Sequence, residues 1–183
     1  AWSMTTTVYD LNRFKFKPDE KLLIDVNVLI YLQTGTPKRY DRMWELARSQ
    51  GNELFFTTLS ISEFVNTFVR AGYKQYLREH SLREDNFDFK HNYQKTQHFL
   101  DIYDDVIDTV ETEIIPKMTI IEFDSQDFQE ISKLTEHMLD LNDALYLKKA
   151  MSEGFSIVTH DADFFNIPIE QNIKIYTYNK NRK

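Results

Sequence analysis

Short apolar runs of strand length alternate along this chain with longer segments of helical spacing, and that alternation narrows the fold more than any other feature. The first run is Lys21-Leu22-Leu23-Ile24-Asp25-Val26, and the second is Leu54-Phe55-Phe56-Thr57-Thr58-Leu59. Residues 118–123, 155–159 and 173–178 have the same apolar, β-branched character, which gives five expected strands. Between them, Ile61, Phe64, Val65, Phe68 and Val69 lie on one helix face. Ser60 and Glu63 have the spacing of a capping box at the start of that helix. A longer stripe runs Phe99, Ile102, Tyr103, Val106, Ile107, Val110 and Ile114. Phe128, Ile131, Leu134 and Met138 mark a third helix, and Ala144, Leu145, Leu147 and Met151 a fourth that Gly154 closes. Residues 38–49 add one after the first strand. The expected fold is α/β: five strands in a mainly parallel sheet flanked by helices. Residues 74–92 are polar, aromatic and irregular, and open a helical insertion spanning 74–115.

The 183 residues suffice for one domain, taken as residues 21–178. An N-terminal extension, residues 1–20, precedes it and a basic tail, 179–183, follows. Ala1-Trp2-Ser3 stand before Met4 and read as a cloning remnant. The chain has no Cys, so disulfides, thiolate metal sites and cysteine nucleophiles are excluded. No apolar stretch reaches membrane-spanning length and no secretory leader is evident, so a cytoplasmic location without membrane contact is expected. Asp and Glu outnumber Lys and Arg by 29 to 22. A protein that coats nucleic acid by neutralising phosphates would have the opposite balance. The question is where the surplus carboxylates fall.

In an open parallel sheet, ligands bind beyond the carboxyl ends of the strands at the switch in strand order. Asp25 ends the first strand and Asp161 follows the fourth. Glu63 and Asp143 stand near the starts of helices that follow the second strand and the Leu139-Asp140-Leu141 turn, so all four can address the same edge. Carboxylates brought together repel and raise one another's pKa, which a cation relieves. An all-oxygen set favours Mg²⁺ or Mn²⁺ over Zn²⁺. Such an ion bridges phosphate, activates water and stabilises a leaving oxygen, the combination used in phosphodiester hydrolysis.

Four ordered segments, Leu22-Leu23-Ile24-Asp25-Val26-Asn27-Val28-Leu29-Ile30, Ser60-Ile61-Ser62-Glu63-Phe64, Asn142-Asp143-Ala144-Leu145 and Ile157-Val158-Thr159-His160-Asp161-Ala162-Asp163-Phe164, resemble the PIN domain ribonucleases, most closely the VapC-type toxins. The resemblance implies a Mg²⁺- or Mn²⁺-dependent endoribonuclease, commonly a homodimer, often neutralised by an antitoxin protein. It assigns Asp25, Glu63, Asp143 and Asp161 to the acidic positions, Asp163 to the auxiliary one, and Asn27 and Thr159 to polar support. Two departures stand out: Val26 occupies a place where the family often has a hydroxyl, and the 80 residues from Glu63 to Asp143 exceed the spacing of the compact toxins.

Other readings compete. Glu63 serves as a helix-capping residue if Ser60 is the N-cap, Asp143 as a first-turn acid with Asp140 as a rival, and Asp161-Ala162-Asp163 as a turn bonding its own backbone. A Mg²⁺-dependent phosphatase or phosphoacceptor would use Asp25 as nucleophile, although haloacid-dehalogenase-like phosphatases place a second Asp where this chain has Asn27. A receiver domain would need a phosphoacceptor at the third strand, near Glu122 or Asp124, and a later Lys, for which Lys180 is a poor match. A non-catalytic PIN-like module binding RNA or protein is the third class. His160 reads as a bystander to Asp161. Tyr73, Tyr76, Phe87, Phe89 and Tyr93 read as packing within the insertion or at a dimer interface, with base stacking the alternative. Lys38-Arg39 and Lys148-Lys149 read as solvated helix faces, with phosphate contact the alternative.

Overall fold

The structure is a computed structural model that describes residues 4–137 and 139–181. The remnant reading of residues 1–3, the Met138 position of the third stripe, and Arg182 and Lys183 of the tail lie outside the described residues. Two compact units form, one from the chain up to Thr57 and from Thr119 onward, the other from Thr58–Met118.

The first unit contains, in chain order, β1 (Met4–Thr5), β2 (Thr7–Asp10), β3 (Leu22–Ile24), α1 (Val26–Thr34), α2 (Tyr40–Gln50) and β4 (Leu54–Thr57). Two helices of the second unit follow, α3 (Thr58–Glu79) and α4 (Gln97–Thr109). The first unit then resumes with β5 (Thr119–Ile121), α5 (Ser132–Thr135), α6 (Leu141–Glu153), β6 (Ser156–Val158), β7 (Pro168–Ile169) and β8 (Lys174–Thr177). Its main sheet is parallel throughout, in the order β2-β8-β6-β3-β4-β5, and helices flank it. All five expected strands belong to it. The sixth, β2, comes from the stretch assigned to the N-terminal extension and pairs with β8 from Thr7↔Lys174 to Asp10↔Thr177. Half-buried Thr7-Val8-Tyr9-Asp10 has the mixed polarity of an edge strand, which an apolar run does not reveal. Strands β3, β4 and β6 are buried along their whole length, the condition that writes a parallel strand as a continuous apolar run.

The order in which strands are added reverses at β3, which has β4 on one side and β6 on the other. In-register pairing, Leu22↔Ser156 through Ile24↔Val158, brings the residues that follow these two strands side by side. The ladder continues one step, with Asp25 N–H donating to the Val158 carbonyl at 3.0 Å. The core beneath includes Leu23, Ile157, Ile175, Leu134 and Leu147, each at 0% exposure, so the strand ends rest on a closely packed base.

Several helix expectations change. Helix α3 begins at Thr58, directly after β4, so buried Ser60 lies inside its first turn and is not the N-cap of a capping box. The stripe from Phe128 to Leu134 does not make one helix, because Glu130 has φ +57° and breaks the helical path; a single turn, α5, remains. Lys149 is not on a solvated face: its ammonium pairs with Asp127 at 2.7 Å, both side chains buried. Gly154 does close α6, in the left-handed region at φ +73° with its N–H on the Ala150 carbonyl.

In the second unit, α3 extends through residues 74–79, turns occupy 80–92, and Thr96 caps α4 by accepting from Phe99 N–H at 3.1 Å. The second half of the long apolar stripe widens into a π turn at Val110–Ile114. Tyr73, Leu77 and Tyr93 form a buried cluster with Tyr76, Phe87, Phe89 and Phe99 packed on it. The aromatic residues of the insertion therefore pack against one another. Gly72 makes this possible, since a Cβ there would lie 2.9 Å from Tyr93 Oη and 3.3 Å from Ile102 side-chain atoms. Tyr93 is fully buried and its Oη sits 2.9 Å from His98 Nδ1, so it has little room to retreat. Overpacking costs ~1 to 3 kcal/mol, and alanine's helix preference returns ~1 kcal/mol. Gly72→Ala is expected to destabilise the protein by roughly 1 kcal/mol net, measured by urea unfolding; an unchanged or raised midpoint would refute the close-approach argument.

Candidate metal centre

Asp25 terminates β3 and is the N-cap of α1, with extended backbone at φ −76°, ψ 147°. It is 8% exposed. Its Oδ2 accepts from Thr159 Oγ1 at 2.6 Å and from Asn27 Nδ2 at 2.9 Å. Thr159, fully buried, follows β6 as Asp25 follows β3, and the β3–β6 register sets them together. The same Thr159 Oγ1 accepts from the Asp161 N–H at 2.9 Å, so one hydroxyl bridges the Asp25 carboxylate and the Asp161 backbone. Asn27 uses its other end as well: its Oδ1 accepts from His160 N–H at 3.2 Å. Thr159 and Asn27 thus provide donors to Asp25 although residue 26 is a valine.

Asp161 leads into a single 3₁₀ turn, and its Oδ1 accepts from Asp163 N–H at 2.9 Å. The turn expected from Asp161-Ala162-Asp163 is present, and it also brings two carboxylates together. Asp140, the rival of Asp143, is the N-cap of α6, where its Oδ1 accepts from Asp143 N–H at 2.9 Å. That leaves Asp143 in the first turn, with ligand oxygens of Asp143, Asp161 and Asp163 all within 4.8 Å of one another. Burial, then the charges of Asp140, Asp25, Asp161 and Asp163, push the Asp143 carboxyl up to about 8. Asp25 therefore acts on the same carboxyl as Asp161 and Asp163 do. Glu63 belongs to the other unit, in the second turn of α3, and is exposed.

Three carboxylates within a ligand sphere, one retaining its proton past neutrality, are the electrostatic state that a divalent cation relieves, and the donor set fits a hard ion. Asn27, engaged at both ends, supplies no second carboxyl beside Asp25 of the sort the phosphatase reading requires.

Sequence reasoning did not find Tyr40. At the start of α2 and 1% exposed, it donates its hydroxyl to the Thr159 carbonyl at 3.0 Å and stands 2.9 Å from His160 Nδ1. Tyr178 N–H donates to the Tyr40 hydroxyl oxygen at 3.2 Å. Burial pushes the Tyr40 hydroxyl up to about 12, so it remains a donor at neutral pH. An isolated Tyr before an amphipathic helix has no local signal of this role. His160 is held by Tyr40 and, through its carbonyl, by Asn179 Nδ2 at 2.7 Å. Burial and the nearby Lys38 charge lower its pKa.

The PIN domain family model matches residues 22–170. The chain belongs to the PIN domain family. No curated protein matches it significantly. Among solved structures, VapBC2 from Rickettsia felis, crystallised bound to a DNA fragment from its promoter, is similar with a TM-score of 0.51 and 17% identity. That match covers 85% of this chain and 98% of the other. A toxin-antitoxin complex from Klebsiella pneumoniae is similar with a TM-score of 0.49 and 17% identity, covering 84% and 100%. At such identity the first of these supports the PIN fold of this chain. No helix among the described residues is long and apolar enough to cross a membrane.

Proposed function

We propose that this PIN domain protein is a Mg²⁺- or Mn²⁺-dependent endoribonuclease. The observation that carries the reading is the convergence of Asp143, Asp161 and Asp163 at the switch-point strand ends, with Asp25 raising the pKa of the same Asp143 carboxyl. Asp143, Asp161 and Asp163 would hold the ion, with Asp25 beside them. When bound, the ion would supply charge stabilisation to the phosphate and a more acidic water. Thr159 and Asn27 aim Asp25 by donating to one of its oxygens, while Thr159 also fixes the Asp161 backbone. Asp140 is occupied as the cap of α6, and the Asp143 carboxylate is the one that lies with Asp161 and Asp163. Glu63 is assigned to the acidic set by the family resemblance alone.

The toxin role, an antitoxin partner and a homodimer follow from the resemblance to VapC-type proteins and from the shared fold. Water as the nucleophile would leave 3′-hydroxyl and 5′-phosphate ends without using the RNA 2′-hydroxyl. The test is incubation of purified protein with single-stranded RNA: cleavage is expected with Mg²⁺ or Mn²⁺ and none in excess EDTA. Equal cleavage in EDTA, or 2′,3′-cyclic phosphate products, would overturn the reading.

A further inference from the structure

Of the two basic pairs in the sequence, Lys148-Lys149 is partly spent in the core, where Lys149 meets Asp127. Lys38-Arg39 is placed differently. Both line a pocket of about 300 Å³ together with Lys180, His160, Asn179 and Asn181. No carboxylate lines it, and among the described residues none of its three cations takes part in an ion pair. In a chain of net charge −7, three cations without an ion pair gather around one concavity, the concentration of one sign that attracts an anion. The nearest acid in the hydrogen-bond network, Asp10, lies outside the lining and accepts from Asn12 Nδ2 at 2.8 Å. Asn12 Oδ1 in turn accepts from Arg39 Nη1 at 2.8 Å, which steadies the guanidinium at the rim.

Two further observations indicate a built pocket. Arg39 has φ +69°, a left-handed conformation unusual for a side chain of this size, and such strain persists where surrounding structure enforces it. The wall next to the acidic centre is His160, whose backbone is fixed by Asn27 and Asn179 and whose neighbour in sequence is Asp161. An acidic centre that takes phosphate through a cation and a basic pocket that takes phosphate directly therefore adjoin across one residue.

We propose that the Lys38, Arg39 and Lys180 pocket binds a backbone phosphate of the RNA strand, flanking the phosphate engaged at Asp143, Asp161 and Asp163. The assignment rests on the nuclease reading of the acidic centre. Its cations contact charge and not base edges, so the pocket fixes the strand's position without selecting sequence.

The test uses the Asp143→Asn protein, so that RNA is held without being cut. Fluorescence anisotropy follows binding of labelled single-stranded RNA oligonucleotides across a salt series. Lys38→Gln and Lys180→Gln, on separate parts of the chain, are each expected to reduce the salt slope by about 0.7, which is about fivefold in affinity at ~0.1 M salt. The loss is expected to be equal for unrelated RNA sequences, and Lys38→Arg is expected to restore it. Unchanged affinity and slope in both Gln variants, or a loss confined to one RNA sequence, would overturn the pocket. So would displacement of RNA by polyglutamate more readily than by polyphosphate of equal charge, which would assign the cations to an acidic protein segment. Failure of the nuclease reading is distinguishable: RNA bound through these lysines but never cut by the unaltered protein with Mg²⁺ or Mn²⁺ removes the catalysis and leaves the phosphate site.

Discussion

Asp143→Asn is expected to lower metal-supported RNA cleavage by at least ~100-fold, because even outer partners of a metal site cost ~10- to 100-fold when removed and Asp143 would bind the ion directly. The same substitution is expected to stabilise the metal-free protein at alkaline pH. The sign follows from the raised carboxyl. In the native chain Asp143 titrates near 8, against the ordinary aspartate value of 3.8 in the unfolded chain. Its contribution to stability is fully present below 3.8 and is lost as pH rises through about 8, because the folded state holds a proton that the unfolded state has released. Asn has no such titration. The thermal midpoint of the variant should therefore exceed that of the unaltered protein by a margin that widens between pH 4 and pH 8 and then levels. Mg²⁺ or Mn²⁺ should close the gap by stabilising the unaltered protein alone. Because binding an ion must displace the Asp143 proton, metal affinity should rise up to about tenfold per pH unit on approach to pH 8 and flatten above it. Calorimetric titrations at several pH values check this; affinity independent of pH, or a variant no more stable than its parent at pH 9, would contradict the coupling.

Thr159→Val carries the second large effect. Valine reproduces the shape of threonine while deleting the hydroxyl that joins Asp25 Oδ2 at 2.6 Å to the Asp161 N–H at 2.9 Å. The site is fully buried, so water does not readily replace what is lost. Loss of a buried hydrogen bond to a charged group costs ~1.5 to 3 kcal/mol, and loss of a partner that orients a ligand costs ~10- to 100-fold in metal affinity or activity. Urea unfolding and metal titration of one sample measure both. Thr159→Ser, which retains the hydroxyl, should recover metal affinity better than stability, since it also loses a buried methyl group. A valine variant with unaltered metal affinity would show that Thr159 serves the fold only.

The legible part of this protein was that which depends on neighbours in sequence. Buried parallel strands must be apolar throughout, so Leu22 to Ile24, Leu54 to Thr57 and Ser156 to Val158 stood out as short apolar runs. Helix α6 declared its C-terminal end through Gly154, while the capping role of Asp140 emerged only in the fold. Where the pattern failed, a longer-range contact or a local strain had intervened. Phe128, Ile131 and Leu134 have helical spacing, yet the left-handed Glu130 divides them. The Ser60 to Glu63 spacing is that of a capping box, but α3 begins at Thr58 directly after β4, which puts Ser60 inside its first turn. Thr7 to Asp10 is too polar to announce a strand and becomes one because β8 offers an open edge.

The sequence by itself determined the α/β class, the order of the acidic residues along the chain and, through the absence of cysteine, the exclusion of thiolate metal ligands. Tertiary structure decided which carboxylates share a ligand sphere, which hydroxyl and amide hold Asp25, that Tyr40 supports the strand end beneath His160, and that Lys38 faces a pocket while Lys149 enters the core. The physical reason is range. Strand and helix periodicity is enforced within a few residues, whereas the Thr159 to Asp25 bond spans 134 positions and exists only because β3 and β6 pair in one register. A shift of one residue would turn Thr159 to the opposite face and leave the same sequence without its bridge between Asp25 and Asp161.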